Sequence, residues 1–279
     1  MTNSLGDRWL AGDAYESYMG RWSRLVSRAF VEWLHPEPSA NWLEVGCGTG
    51  ALTSTICELG QPASVTACDP SEPFVEHARR NISDARVSFL VAGADALPRR
   101  DGGFDETVSG LVLNFLPDPG AVLASLCERL RKGGVVAGYV WDYADGMEFL
   151  KLFWQEAAAL DPRAASLDEG RRFPLCSEPA LDSLFRGAGL ARVETHAVEI
   201  ETNFTAFGLL DTISPRDGTS TELRCVAGSF RPRVVERASQ ATPPPRKRWW
   251  DSTSSTRLGR AWGGGLTSHR PTMLPEQTA

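Results

Sequence analysis

Residues Trp42-Leu43-Glu44-Val45-Gly46-Cys47-Gly48-Thr49-Gly50 constrain the fold more than any other stretch of the chain. A short apolar run carries one acid, then three glycines at alternate positions, then a helix-like segment from Ala51 to Leu59. This pattern predicts a buried strand that enters a tight turn and a helix N-terminus. The missing side chains there let backbone N–H groups approach a ligand. The spacing G-x-G-x-G is not the G-x-G-x-x-G that seats a dinucleotide pyrophosphate. Taken alone, the run also fits a purely structural strand-to-helix turn.

The downstream spacing adds to it. Ser64 to Cys68 reads as a second buried strand, with Asp69-Pro70-Ser71 at its carboxyl end. Asp69 lies 19 residues after Gly50, where a doubly wound sheet presents an acid to ribose hydroxyls. The alternative is that Asp69 or Ser71 merely caps the helix from Glu72 to Asn81; Ser71 is able to cap, which leaves Asp69 free. Val87 to Ala92 forms a third strand leading into Gly93-Ala94-Asp95-Ala96-Leu97-Pro98, and Phe104 to Ser109 a fourth leading into Gly110-Leu111-Val112-Leu113-Asn114-Phe115. Asp118 and Pro119 open a helix that closes at Lys132-Gly133-Gly134. Val135 to Trp141 is apolar enough for a strand covered on both faces, and Val193 to Glu201 supplies a sixth. Strands alternating with helices imply an α/β fold: a doubly wound, mostly parallel sheet with helices on both faces.

The glycine run with its acid two residues ahead resembles motif I of the class I S-adenosylmethionine (SAM)-dependent methyltransferases. The chain looks like their type-11 branch over about residues 10–207, with the specific motifs between Glu44 and Phe115. The resemblance implies SAM as cofactor and a Rossmann-like sheet completed by a seventh, antiparallel strand. It also implies a cofactor site at Glu44, Gly46, Cys47, Gly48, Gly50, Asp69, Pro70, Asp95, Ala96 and Leu111. In that pattern Asp95 accepts a hydrogen bond from the adenine amine, a contact a nicotinamide site does not need. Tyr15-Glu16-Ser17-Tyr18-Met19-Gly20-Arg21-Trp22 is similar to the branch's lead-in. There Arg21 would pair with the SAM carboxylate and Tyr15 would wall the sulfonium; Arg21 is equally readable as a solvated surface charge. Residues 1–40 would then be a helical cap over the cofactor. Its helix carries Trp22, Leu25, Val26, Ala29, Phe30, Trp33 and Leu34 at helical spacing up to Pro36, a stripe that suits core packing.

Within a main domain at 41–207, a lid or substrate insert is expected near 146–175. Phe149, Leu150, Phe153, Trp154 and Ala157 share one helical face there, which either packs on the sheet or meets an apolar or aromatic small molecule. Methyl transfer is an in-line displacement that alignment alone accelerates, and a base is needed only for a poor nucleophile. None of the histidines at 35, 77, 196 and 269 falls at the carboxyl end of a parallel strand. Asn114, Asp142 and Tyr143 do, and they are the acceptor-side candidates, none of them assigned as catalytic. The Asn/Asp-Pro-Pro-Tyr signature for amino groups on nucleobases and glutamine is missing, because Asn114 continues as Phe115-Leu116-Pro117. The alternative reading is a SAM-binding fold without turnover.

Charge and cysteines narrow the setting. Residues 1–207 carry 18 Lys+Arg against 29 Asp+Glu, a net of −11 that repels a phosphate backbone, so no nucleic acid partner is expected. The partner is a small-molecule acceptor, and the chain is a monomer or homodimer. Six cysteines without metal-ligand spacing suggest no metal and a reducing cytoplasm. Met1 to Gly12 lacks signal-peptide character and no run suits a membrane span. From 208 to 279 the character changes: 31 of 72 residues are Gly, Ser, Thr or Pro, and the net charge is +5. Only Leu258-Gly259-Arg260-Ala261-Trp262 has a trace of the seventh strand. This segment reads either as a low-order basic tail or as the product of a frameshift near residue 207.

Overall fold

The computed structural model describes residues 20–190, 192–202, 228–230 and 233–238. Its first helix, α1 (Arg21–Leu34), buries Trp22, Val26, Phe30, Val31 and Leu34. Leu25, on the stripe by its spacing, is instead 48% exposed, because the buried arc is narrower than the apolar pattern. β1 (Asn41–Val45) runs into α2 (Ala51–Leu59), and β2 (Ser64–Asp69) into α3 (Glu72–Asn81). The Ser27 and Thr55 hydroxyls share a buried 2.7 Å hydrogen bond that docks α1 on α2.

β3 (Val87–Val91), β4 (Phe104–Gly110), α4 (Pro119–Arg129) and β5 (Leu130–Val140) follow. Asp118 caps α4 by accepting the Ala121 N–H at 2.8 Å. The expected helix stop at Lys132-Gly133-Gly134 is corrected: α4 ends at Arg129, and the glycine pair lies within β5. Gly133 has φ +88 where the β4–β5 register shifts, so the glycines serve a bulge rather than a C-cap.

α5 (Glu148–Leu160), the short α6 (Glu169–Arg172) and α7 (Glu178–Gly187) lead to β6 (Arg192–Ala197). The single strand expected over 193–201 is broken into β6 and a separate β7 (Ile200–Thr202), which pairs with β8 (Gly228–Phe230). β9 (Arg233–Ala238) lies between β5 and β6, antiparallel to both. The seventh-strand position is thus taken by residues from the stretch read as low-order, and 258–262 lie outside the described residues.

The sheet order is β3-β2-β1-β4-β5-β9-β6, with β1 to β5 mutually parallel where they pair. Alternation along the strands divides the core. Trp42, Val65, Ala67, Ala137 and Tyr139 pack with α1 to α3. Leu43, Val45, Cys68, Val136 and Val140 pack with α4 and α7. The chain leaves β1 toward β2 on one side and returns to β4 on the other, so the crevice opens at the carboxyl ends of β1 and β4. All the described residues fall in one compact unit. No helix among the described residues is long and apolar enough to cross a membrane.

Candidate active site

The turn after β1 places Gly46, Gly48 and Gly50 at φ +76, +52 and +91, backbone that side chains with a Cβ resist. Their surroundings differ. A Cβ at Gly46 would lie 2.4 Å from a Val112 methyl carbon, and one at Gly50 would lie 2.5 Å from Ile82 Cδ1. A Cβ at Gly48 would meet nothing within 4 Å. Gly46 and Gly50 therefore make room for the protein's own side chains, and only Gly48 opens on free space. The Gly46 and Cys47 N–H groups both donate to the Cys68 carbonyl, at 2.8 and 3.0 Å, which pins the turn to β2.

Two carboxylates sit beneath this turn. Glu44 is 1% exposed and accepts the Thr53 hydroxyl at 2.6 Å, bracing the first turn of α2. Burial, reinforced by the nearby charge of Asp69, pushes its carboxyl up to about 7. Thr53 carries no signature in the sequence, since it lies across a turn from its partner. Asp69 accepts the Gly48 N–H at 2.9 Å and the Ser71 N–H at 2.8 Å. This corrects the idea that Ser71 caps α3 and frees Asp69: the Ser71 side chain makes no cap bond, and Asp69 holds the Ser71 backbone instead. Burial raises the Asp69 pKa while the two N–H donors pull it back. Each carboxylate oxygen keeps lone-pair capacity for a further donor. The Cys47 thiol beside them is buried and pushed far upward, so it is unreactive.

The neighbouring strand ends complete the crevice. The Ala92 N–H donates to the Asp69 carbonyl at 3.0 Å, which brings the Gly93–Leu97 loop alongside; Asp95 and Ala96 are exposed on it, as is Pro70. Beyond β4, Leu111 is held at φ +60 by its N–H bond to the Tyr139 carbonyl at 2.8 Å. A left-handed leucine costs about 1–2 kcal/mol, and here it turns the chain so that Val112 fills the space above Gly46. The 3-10 turn Leu113–Phe115 follows, with Asn114 half-buried and Phe115 48% exposed.

Asp142 reads from the sequence either as an acceptor-side candidate or as a turn residue, and its contacts fit the turn. It is fully buried, and its Oδ1 accepts the Asp145 N–H at 3.0 Å, so its carboxylate builds the turn after β5. Tyr143 is half-buried and stacks on Phe173, with ring centroids 5.8 Å apart. α5 has no buried residue, but Phe149 meets Trp22 at 6.2 Å, and the Trp154 indole N–H donates to Glu169. Arg21 is described for its main chain alone and Tyr15 lies outside the described residues, as does His269. His35 caps α1, His77 lies in α3, and His196 stacks on Trp33.

Open space at Gly48 beside a buried pair of carboxylates fits a cationic ligand that also carries a vicinal diol, which is the chemistry of SAM. The comparisons agree. The family model for a methyltransferase domain matches residues 43–138, from β1 into β5. A malonyl-[acyl-carrier protein] O-methyltransferase of Geobacter sulfurreducens is 32% identical over 192 residues, covering 67% of this chain and 67% of that protein. A ubiquinone biosynthesis O-methyltransferase of Xanthomonas campestris pv. campestris is 33% identical over 102 residues, 36% of this chain and 42% of the relative. Phosphoethanolamine N-methyltransferase 2 of Haemonchus contortus, solved with S-adenosyl-L-methionine, shares the fold at TM-score 0.54 and 13% identity, over 82% of this chain and 56% of that one. With glycine turn, strand order and relatives in agreement, the chain belongs to the type-11 family of class I methyltransferases, and its cofactor is S-adenosylmethionine.

Proposed function

We propose that the protein methylates a small, apolar or aromatic metabolite at an oxygen atom. The observation that carries the acceptor class is the aromatic content beyond β5, where Tyr143 stacks on Phe173, Phe149 meets Trp22, and α5 has no buried residue. The two O-methyltransferases among the relatives support an oxygen nucleophile.

Within this reading each residue has a task. Asp69 accepts the ribose hydroxyls with the lone pairs its two backbone donors leave, and Asp95 takes the adenine amine. Gly46, Cys47, Gly48 and Gly50 shape the turn under the cofactor, with Pro70, Ala96 and Leu111 beside it. Arg21 and Tyr15 belong to the methionine end. Glu44 holds α2 in place from below. When bound, SAM would supply an electrophilic methyl carbon on its sulfonium: the acceptor oxygen's bond to that carbon would form as the carbon–sulfur bond breaks, sulfur leaving as a neutral thioether and the acceptor proton passing to water. The lid residues align the acceptor and exclude water, and alignment of this kind supplies most of the acceleration. No side chain is assigned as base: Asp142 is committed to its turn, and Asn114 has no basic site, so it orients.

Titration calorimetry with SAM, followed by an S-adenosylhomocysteine release assay against mixed aromatic and aliphatic hydroxy compounds, tests the reading. SAM binding with turnover of aromatic hydroxyls is expected. SAM binding without turnover of any acceptor favours a binding protein of the same fold, and turnover confined to aliphatic acceptors rejects the aromatic class.

A further inference from the structure

We infer that Arg129, at the far end of α4, is a positioning residue for the adenine end of the cofactor: it clamps the loop after β3 where Asp95 can meet the adenine amine. The inference rests on the proposed contact between Asp95 and adenine and deepens it, naming the side chain through which that contact is set.

The Gly93–Leu97 loop is anchored at both ends. At its start the Ala92 N–H donates to the Asp69 carbonyl at 3.0 Å. At its end the Leu97 side chain is buried in the core that Leu123 and Leu126 of α4 share. Between the anchors the Ala96 N–H donates to the Gly93 carbonyl at 3.1 Å. Asp95 is exposed, and its carboxylate lies back over Gly93, where an added Cβ would stand 2.7 Å from Asp95 Oδ1. The aim of that carboxylate follows the path of the loop backbone, so it depends on how the chain is held at Leu97.

Arg129 holds it there. Its Nη2 donates to the Leu97 carbonyl at 2.9 Å, and its Nε to the Leu97 and Pro98 carbonyls at 3.3 and 3.1 Å. Its Nη1 donates to the Ser125 carbonyl at 2.8 Å and to the Ser125 hydroxyl at 2.6 Å, one helical turn back in α4. One planar guanidinium thus ties a helix to two successive loop carbonyls that would otherwise need donors. The arginines on either side are engaged differently: Arg99 pairs with Glu128, and Arg131 with Asp105. The partners of Arg129 among the described residues are uncharged oxygens. Closing the end of α4 requires only the Ser125 bonds; those to Leu97 and Pro98 belong to the loop.

The test titrates the full chain with SAM and with its deaminated analogue, in which oxygen replaces the adenine amine, and measures thermal midpoints alongside. The parent is expected to prefer SAM about fivefold, the worth of one ordinary hydrogen bond, and Asp95→Ala to lose that preference. Arg129→Gln should remove most of it while the analogue binds nearly as in the parent. Arg129→Lys should lie between, because an ammonium lacks the fork that reaches Leu97 and Ser125 together. Adding Arg129→Gln to Asp95→Ala should cause no further loss of preference, since both act through one contact. A residue that merely stabilises α4 would lower the thermal midpoint and leave the ratio of the two affinities untouched. That result in Arg129→Gln, or in Arg129→Lys should the glutamine variant not fold, overturns the positioning role. A parent that binds SAM and the analogue equally overturns the Asp95 contact itself, and the positioning role with it.

Discussion

The carboxylate of Asp69 accepts the backbone N–H of Gly48 at 2.9 Å, which ties the end of β2 to the one glycine of the β1 turn that faces open space. The same oxygen atoms brace the loop and, in the proposed site, would also accept the ribose hydroxyls. Asp69→Asn should weaken SAM binding through both routes. Charge-assisted hydrogen bonds are worth roughly 1.5–3 kcal/mol, so calorimetry should show affinity falling on the order of tenfold to a hundredfold. Unaltered affinity in a folded variant would remove Asp69 from the site.

The glycines should separate by phenotype. Gly46→Ala drives a methyl into Val112, an overpacking that costs about 1–3 kcal/mol in addition to the backbone penalty. Its thermal midpoint should drop, and Val112→Ala in the same chain should recover part of the loss. Gly48→Ala meets no neighbour, so it should lose only about 1 kcal/mol of stability while damaging SAM affinity more than Gly46→Ala does. Equal stability losses in the two variants would contradict the different surroundings.

Glu44 gives the molecule a pH dependence whose sign can be worked out. Its folded carboxyl titrates near 7 because burial disfavours the charge, above the ordinary carboxylate value. The folded state then binds more protons than the unfolded state between about pH 4.5 and pH 7, so stability falls as pH rises through that window. The contribution is fully present below the ordinary value and is lost by about pH 8, an effect on the order of 3 kcal/mol. Glu44→Gln should flatten this part of the stability-versus-pH curve in denaturant titrations at matched ionic strength. A variant whose curve parallels the parent's would show that Glu44 is charged at neutral pH.

The reading frame of the gene is a separate matter that nucleotide sequence decides. Gly208-Leu209-Leu210-Asp211-Thr212-Ile213-Ser214-Pro215 has a synonymous spelling that reads, one base on, as Gly-Tyr-Trp-Thr-Pro-Phe-Leu-Pro, an aromatic and apolar segment in keeping with the body of the protein. Only three lysines against many arginines fits a GC-rich gene, in which off-frame reading stays open. Because Arg233–Ala238 already pairs between β5 and β6, resequencing decides between the two readings: an open neighbouring frame beyond codon 207 that encodes apolar alternation would establish the frameshift. Stop codons in that frame, together with a soluble and active chain as it stands, would establish the basic tail as native.

Where one local signal governed, the sequence was legible. α3 begins and ends where Ser71-Glu72-Pro73 and the apolar period place it, and the strands β1 to β4 match to within a residue or so. Where two meanings compete for one residue, it was not. Gly133-Gly134 reads as a helix stop, yet pairing with β4 draws the residues from Leu130 onward into a strand. Ser71 reads as a cap, yet the buried Asp69 outcompetes it for the backbone. The partners of the site residues, Thr53 for Glu44 and Val112 for Gly46, come from across turns and other strands, and no periodicity announces them. Arg233–Ala238 was passed over because its alternation is short and half charged, and its strand exists through its two neighbours.

The packing of Val112 on Gly46 joins the loop after β1 to the loop after β4. Val112 stands between the left-handed Leu111 and the turn that carries Asn114 and Phe115, while Gly46 opens the turn after β1. Between them there is no room for even one added methyl group. In the proposed methyl transfer, any coupling of donor and acceptor carried by this contact would be reciprocal, each changing the other's affinity by the same factor. The order in which two reactants enter would then turn on the width of one absent methyl group.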